Sequence, residues 1–239
     1  MKCDDKEKQR PSPFKPESPL VIVCEGFQDA GFICALLRHL KIGNCDVTYP
    51  QKRRDGANGK SGIPAMVQLL SSESIVTGIA LLWDSDDDAN ASFKEACAAF
   101  IPPFHAPKGR FTVETHKEKT TGVFMIPGSG ETGTIEHLLL KAVYADHPDL
   151  SRCVEGFRNC YPRGANWDEN KKAKRDMHCV IAAFCEDDPG CSLGFIWQKK
   201  QDNPIDLGNP AFKELSDFLV AFSAAGVPHP PILAPASQA

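Results

Sequence analysis

The chain has 239 residues, of which 42% are hydrophobic and 24% are charged, and its formal net charge is −4 at pH 7. This composition is close to the globular norm, so we expect a real hydrophobic core. The acidic balance excludes a general electrostatic attraction to nucleic acid or to an anionic membrane. Contact with a polyanion therefore requires a local basic patch or bound cations.

Apolar runs alternate with amphipathic stretches through the first two thirds of the chain. Five runs have the length and composition of strands and cover residues 20–24, 45–49, 75–83, 111–115 and 122–126. Four stretches have helical spacing and cover residues 29–40, 63–70, 91–100 and 135–143. This alternation predicts an α/β fold of the Rossmann-like kind, with a mainly parallel sheet and helices on both faces.

The flanking regions differ from this pattern. Residues 1–18 are polar with three prolines, which predicts a flexible arm before an α/β domain at 19–147. Residues 148–226 predict a helical C-terminal extension packed on that domain, with helices at 168–186 and 210–223. The proline- and alanine-rich residues 227–239 predict a frayed tail.

The cysteines and the apolar content indicate the compartment. Ten cysteines are present without a C-x-x-C pair, and the spacing of Cys179, Cys185 and Cys191 fits no common zinc pattern. The N-terminus lacks the apolar core of a signal peptide, and no stretch reaches about 18 apolar residues. We expect a cytoplasmic protein with no membrane partner, whose reduced thiols act as small core hydrophobes.

Acidic side chains follow the strands. Glu25 follows the first strand, and Asp84, Asp86, Asp87 and Asp88 follow the third. Ligands of open α/β sheets bind beyond the carboxyl ends of the strands. Two unit charges about 4 Å apart repel by about 4 kcal/mol at an effective dielectric near 20, so this cluster favours a divalent cation. Alternatively, aspartates cap the next helix, a role that we expect for Asp87 and Asp88.

Two nucleotide- or ion-binding patterns occur, but one lacks a required residue and the other lies in an unusual place in the chain. Residues 84–95 place acids as in a calcium loop, but Ala89 stands where the sharp turn needs glycine, and a strand precedes it. Residues 128–133 match the G-x-G-x-x-G fingerprint, but late in the α/β region and with Glu131 and Glu136 nearby. A flexible loop that presents Glu136 in the first turn of the next helix is the preferred interpretation.

Basic residues concentrate in two segments. The glycine-rich segment after the second strand carries Lys52, Arg53, Arg54 and Lys60, which can contact the phosphates of a nucleic acid. The second segment begins a predicted helix with four basic residues, at positions 171, 172, 174 and 175. For both segments, an inert solvated surface remains the alternative.

Three features in this order resemble the TOPRIM superfamily of topoisomerases and primases: Glu25-Gly26, the Asp84-x-Asp86 pair, and the glycine-rich loop before Glu136. The resemblance covers about residues 19–145. Within that superfamily the chain is similar to small stand-alone TOPRIM-related prokaryotic proteins of uncharacterised function. The overcoming-lysogenization-defect nucleases are more distant.

The resemblance implies a role for each matching residue. Glu25 would act as general acid or base or as a metal ligand, and Asp84 and Asp86 would hold Mg²⁺, for which Mn²⁺ can substitute. Glu136 would complete a second metal site. A lysine of the tail, Lys174 or Lys172, would assist catalysis.

The implied function is Mg²⁺-dependent phosphodiester chemistry on nucleic acid, as in a nuclease. The alternative is a non-catalytic metal- or nucleotide-binding regulatory module that acts with a protein partner, and a primase-like nucleotidyl transferase comes third. No topoisomerase-type partner domain with a reactive tyrosine is evident, which argues against strand passage. The sequence leaves open the oligomeric state and the choice between DNA and RNA.

Overall fold

A computed structural model describes residues 14–51, 59–160, 164, 166–185, 188–197 and 205–225. Its strands are β1 (Leu20–Val23), β2 (Cys45–Thr48), β3 (Gly78–Asp84), β4 (Val113–His116) and β5 (Lys119–Ile126). Its α-helices are α1 (Phe27–His39), α2 (Ile63–Ser71), α3 (Ala89–Ala98), α4 (Ile135–Asp146), α5 (Pro148–Cys160), α6 (Glu169–Phe184), α7 (Leu193–Ile196) and α8 (Lys213–Ala225). Short 3₁₀ turns cover Gly59–Gly62 and Pro210–Phe212.

The strands form one sheet in the order β2-β1-β3-β5-β4. β1 pairs in parallel with both β2 and β3, and β3 pairs in parallel with β5. β4 pairs antiparallel with β5 at the edge, through a two-residue turn at Lys117 and Glu118, which both have positive φ. The predicted α/β fold with a mainly parallel sheet is confirmed.

Helices cover both faces of the sheet because side chains of each strand alternate between the faces. Val21 and Leu81 pack with the buried residues of α2 and α3 on one face. Leu20, Ile22 and Leu82 pack on the other face with residues of α1, α4 and α8. The continuous apolar runs of the sequence therefore reflect strands that are buried on both sides.

The C-terminal helices contribute to the same core. Phe218 of α8 lies against β5, and a Cβ placed at Gly122 would come within 2.8 Å of its ring. Helix α5, in which Val154 is the one buried residue, was not among the helices predicted from the sequence. The C-terminal helices thus begin with α5 at Pro148, before the helices predicted at 168–186 and 210–223.

The predicted N-terminal arm needs a correction in its described part. Residues 14–18 are held against the domain, because the backbone N–H groups of Glu17 and Ser18 donate to Asp46 and Phe14 packs beside α2 and α3. Residues 1–13 and the predicted tail at 227–239 lie outside the described residues. Within the described part, no cysteine forms a disulfide, and none of the helices is long and apolar enough to cross a membrane.

Candidate functional site

Glu25 and Asp84 meet at the carboxyl edge of the sheet. β1 and β3 are neighbouring parallel strands, so the residues that end them lie side by side. The Glu25 Oε1 atom accepts a hydrogen bond from the backbone N–H of Asp84 at 2.8 Å. Both residues are partly buried.

Asp29 belongs to the same cluster, although the sequence analysis did not select it. It lies in the first turn of α1, where its Oδ2 atom accepts the N–H of Gly26 at 2.9 Å. Asp29 is the third residue of α1, and in a capping box the side chain at this position reaches back to the N–H of the N-cap residue. The Glu25-Gly26-x-x-Asp29 spacing was therefore the available signal.

Glu136 joins the acidic residues from helix α4. It is 5% exposed in the first turn of α4, and the Thr134 hydroxyl donates to its Oε2 atom at 2.7 Å. The loop before α4 is bonded to the aspartate segment, because the Asp86 N–H donates to the Gly133 carbonyl at 3.0 Å. This link carries Glu136 close enough to Asp29 and Asp84 for its charge to act on both.

Lys60 is the cation bonded within this cluster. Its Nζ atom donates to the Asp84 carbonyl at 2.8 Å, lies 3.5 Å from Glu25 Oε1, and forms an ion pair with Asp86. The same ammonium lies 5.6 Å from the centre of the Trp83 ring. A contact with nucleic acid was expected for Lys60, whereas its ammonium bonds to the acidic residues.

The acid cluster, which we define as Glu25, Asp29, Asp84 and Glu136, has more carboxylates than cationic partners among the residues that the structure describes. Burial raises the pKa of Glu25 to about 7 against the opposing effect of Lys60. Burial and the charge of Glu136 raise the pKa of Asp29 to about 7. Burial and the charges of Glu25, Asp29 and Glu136 raise the pKa of Asp84 well above its ordinary value. These carboxylates would bind a cation or a proton.

The three aspartates that follow Asp84 have separate roles. Asp86 has a positive φ of 47° and is paired with Lys60. Asp88 caps α3, because its Oδ1 atom accepts the N–H groups of Asn90 and Ala91 at 2.8 and 3.0 Å. The capping alternative therefore holds for Asp88, and this use of its carboxylate argues against the calcium loop. Asp87 is exposed and does not cap the helix.

The predicted tail lysines lie on α6. Lys174 and Glu136 line a small pocket together with Gln28 and His178, and the charge of Lys174 opposes the rise in the pKa of Asp29. Lys172 pairs with Glu169 at 2.7 Å on the surface. Of the two candidates, Lys174 lies beside the acid cluster. The predicted phosphate-binding residues Lys52, Arg53 and Arg54 lie outside the described residues.

The glycine-rich loop at 128–133 is bonded to the C-terminal helix. The Glu214 carboxylate of α8 accepts the N–H of Ser129 at 2.8 Å and also the Ser129 hydroxyl. An acidic side chain therefore lies where the fingerprint interpretation would place a pyrophosphate. The loop instead connects α8 to the segment that presents Glu136.

The donor chemistry of the acid cluster fits Mg²⁺. All of its side-chain donors are carboxylate oxygens, and Mg²⁺ in proteins takes one or two carboxylates and keeps several waters. Among the residues that the structure describes, no group of three or more His, Cys, Asp or Glu side chains is placed so that together they could hold a metal ion. A hydrated ion bound to part of the cluster satisfies both observations.

A family model described as protein of unknown function (DUF3226) matches residues 19–223. The chain belongs to this family. The match spans the whole sheet, the acid cluster and most of α8. No curated protein and no solved structure matches the chain.

Proposed function

We propose that the protein is a Mg²⁺-dependent phosphodiesterase of the TOPRIM type that acts on nucleic acid as a nuclease. The observation that carries the proposal is the hydrogen bond from the Asp84 N–H to Glu25, because it joins the first-strand glutamate to the Asp-x-Asp segment. Glu136 and Asp29 add two more carboxylates to the same edge. Carboxylates grouped in this way could hold the metal ion that phosphoryl transfer needs.

Each residue has a defined part in this proposal. One or two of the carboxylates of Asp84, Asp29 and Glu136 would hold a hydrated metal ion, and Asp86 would join them only on release from Lys60. A bound Mg²⁺ would neutralise charge on the phosphate oxygens and lower the pKa of a water. Glu25, whose pKa is about 7, can accept and return a proton at neutral pH. Lys60 keeps the Glu25 carboxylate in place, and Lys174 offers a positive charge to the substrate.

A cleavage assay tests the proposal. Wild-type protein with Mn²⁺ or Mg²⁺ should cleave single-stranded or supercoiled DNA or RNA, and EDTA should stop the reaction. Glu25→Gln should reduce the rate by about 100-fold or more, since it preserves the shape of the side chain and removes proton transfer. Asp87→Asn is the matched control, because Asp87 is an exposed acid in the same segment, and its rate should equal that of wild type.

Equal cleavage by wild type and Glu25→Gln from identical preparations would show a contaminating nuclease. The second candidate function would then take precedence, a metal- or nucleotide-binding regulatory module without turnover. The position of Lys60 supports that candidate, because its ammonium already neutralises part of the cluster. Saturable Mn²⁺ binding by calorimetry without cleavage would support it further.

A further inference from the structure

Three aromatic rings lie together next to the acid cluster. The ring centroid of Phe27 is 6.1 Å from that of Tyr49 and 5.3 Å from that of Phe195. We call these residues the aromatic trio. They come from three separate elements: the start of α1, the residue after β2, and α7.

The sheet order fixes the distance between the aromatic trio and the acids. Tyr49 follows β2, Glu25 follows β1 and Asp84 follows β3, and these strands are consecutive in the sheet. The register pairs Val23 with Thr48, so Tyr49 lies one residue before the level of Glu25. Neighbouring strands are about 4.8 Å apart and residues rise about 3.3 Å along a strand, so the backbone of Tyr49 lies about 6 Å from that of Glu25 and about 12 Å from that of Asp84.

Helix α7 packs closely against α1 through Gly194. A Cβ at Gly194 would come within 2.4 Å of the Phe27 ring, so only glycine allows α7 to approach α1 so closely. The next residue, Phe195, remains 37% exposed, and Phe27 and Tyr49 are partly exposed. The trio therefore presents aromatic surface to solvent on the side of the sheet where the acids end.

We propose that the aromatic trio is a stacking site for an unpaired base of a single-stranded nucleic acid whose phosphate lies at the acid cluster. The inference rests on the proposed function and specifies its substrate. An aromatic ring can stack on any base, and the nucleotide next to a phosphate at Glu25 would reach a ring one strand away. Bases stacked inside a duplex cannot reach the trio, so single strands are the preferred substrate.

Binding measurements test the inference. The probes are a fluorescent single-stranded oligonucleotide and a fully abasic oligonucleotide of equal length, with Ca²⁺ in place of Mg²⁺ and anisotropy as the readout. Wild type should bind the base-bearing strand about tenfold more tightly than the abasic strand. Phe195→Leu and Tyr49→Leu, which keep apolar volume and remove the ring, should each abolish most of that preference. Phe157→Leu, a 48% exposed phenylalanine of α5 outside the trio, should retain it.

The outcomes separate this inference from the proposed function. Equal affinity of wild type for both strands, or an unchanged preference in both trio variants, would overturn the stacking site even if Glu25-dependent cleavage is observed. Failure of wild type to bind or cleave any strand would overturn both proposals. Unequal loss between the two variants, with Phe157→Leu intact, would support the site and identify the ring that contacts the base.

Discussion

Two clusters of charged side chains in this protein have opposite charge balance. In α6, the fully buried Asp176 carboxylate is bonded by the guanidinium groups of Arg158 and Arg175. At the carboxyl edge of the sheet, Lys60 is the one ammonium among the described residues that is bonded within the acid cluster. Within the described part of the chain, the first cluster is neutralised by its own side chains, whereas the second has more carboxylates than cationic partners.

We propose that this difference separates a structural role from a functional one. A buried carboxylate with two cationic partners holds α5 against α6 and needs nothing further. In the acid cluster, the raised pKa values of Glu25, Asp29 and Asp84 indicate repulsive energy in the folded state, which a ligand can relieve. Functional sites commonly retain such unfavourable electrostatics, whereas structural ion pairs do not. The following predictions test this contrast.

The largest effect is expected at Asp176. Asp176→Ala leaves two guanidinium groups without their partner and should lower the free energy of unfolding by about 3 kcal/mol, measured by urea denaturation. The loss should be the same with and without Mg²⁺, because the cluster takes no metal. A loss below about 1 kcal/mol, or a loss that Mg²⁺ restores, would contradict the structural role.

The pH dependence of stability should separate the acid cluster from the rest of the molecule. Glu25 and Asp29 have folded-state pKa values of about 7, above their ordinary values, so the folded state holds more protons between about pH 4 and pH 7. In EDTA, stability should therefore decrease as the pH rises through that window. From pH 5 to pH 8, wild type should lose about 2 kcal/mol more than Asp29→Asn. Identical pH profiles would show that Asp29 carries no raised pKa.

Substitution of Asp84 should raise the stability of the folded state, whereas substitution of Asp176 should lower it. Asp84→Asn removes one of the repelling charges and should raise the melting temperature in EDTA by about 2–4 °C, which corresponds to about 1 kcal/mol. It should also abolish most of the stabilisation that millimolar Mg²⁺ gives to wild type. Asp87→Asn, which removes an exposed charge three residues away, should change neither quantity. No response to Mg²⁺ and none to Asp84→Asn would show that the acid cluster is merely solvated.

The smallest effect is expected at the contact between α8 and the glycine-rich loop. Glu214→Ala removes the acceptor for Ser129 and should cost about 0.5 kcal/mol, since the contact is exposed. Hydrogen exchange of the backbone amides at 128–133 should accelerate in this variant. Asp217→Ala on the same helix breaks only a surface pair with Lys213 and should leave that exchange unchanged. Equal exchange in the two variants would mean that Glu214 does not hold the loop.

Most secondary structure was predictable because each element depends on neighbours within a few residues. The helix after β1 was expected from Asp29 and begins at Phe27. That two-residue difference places Asp29 in the first turn rather than at the cap, which explains why its carboxylate was missed. Strand β3 was expected from Ile75 and begins at Gly78, because the preceding residues form a turn and leave Ile75 exposed.

The sequence by itself determined the α/β alternation and the acids that follow β1 and β3, and parallel pairing then required those acids to share one edge of the sheet. Only the tertiary structure decided that Lys60 faces the acids, that Asp29 joins them, and that the aromatic trio assembles beside them. These features depend on contacts between segments far apart in the chain, such as the hydrogen bond from Lys60 to the Asp84 carbonyl across 24 positions. Local periodicity carries no information about such contacts, because strand order and helix approach set them after the chain has folded.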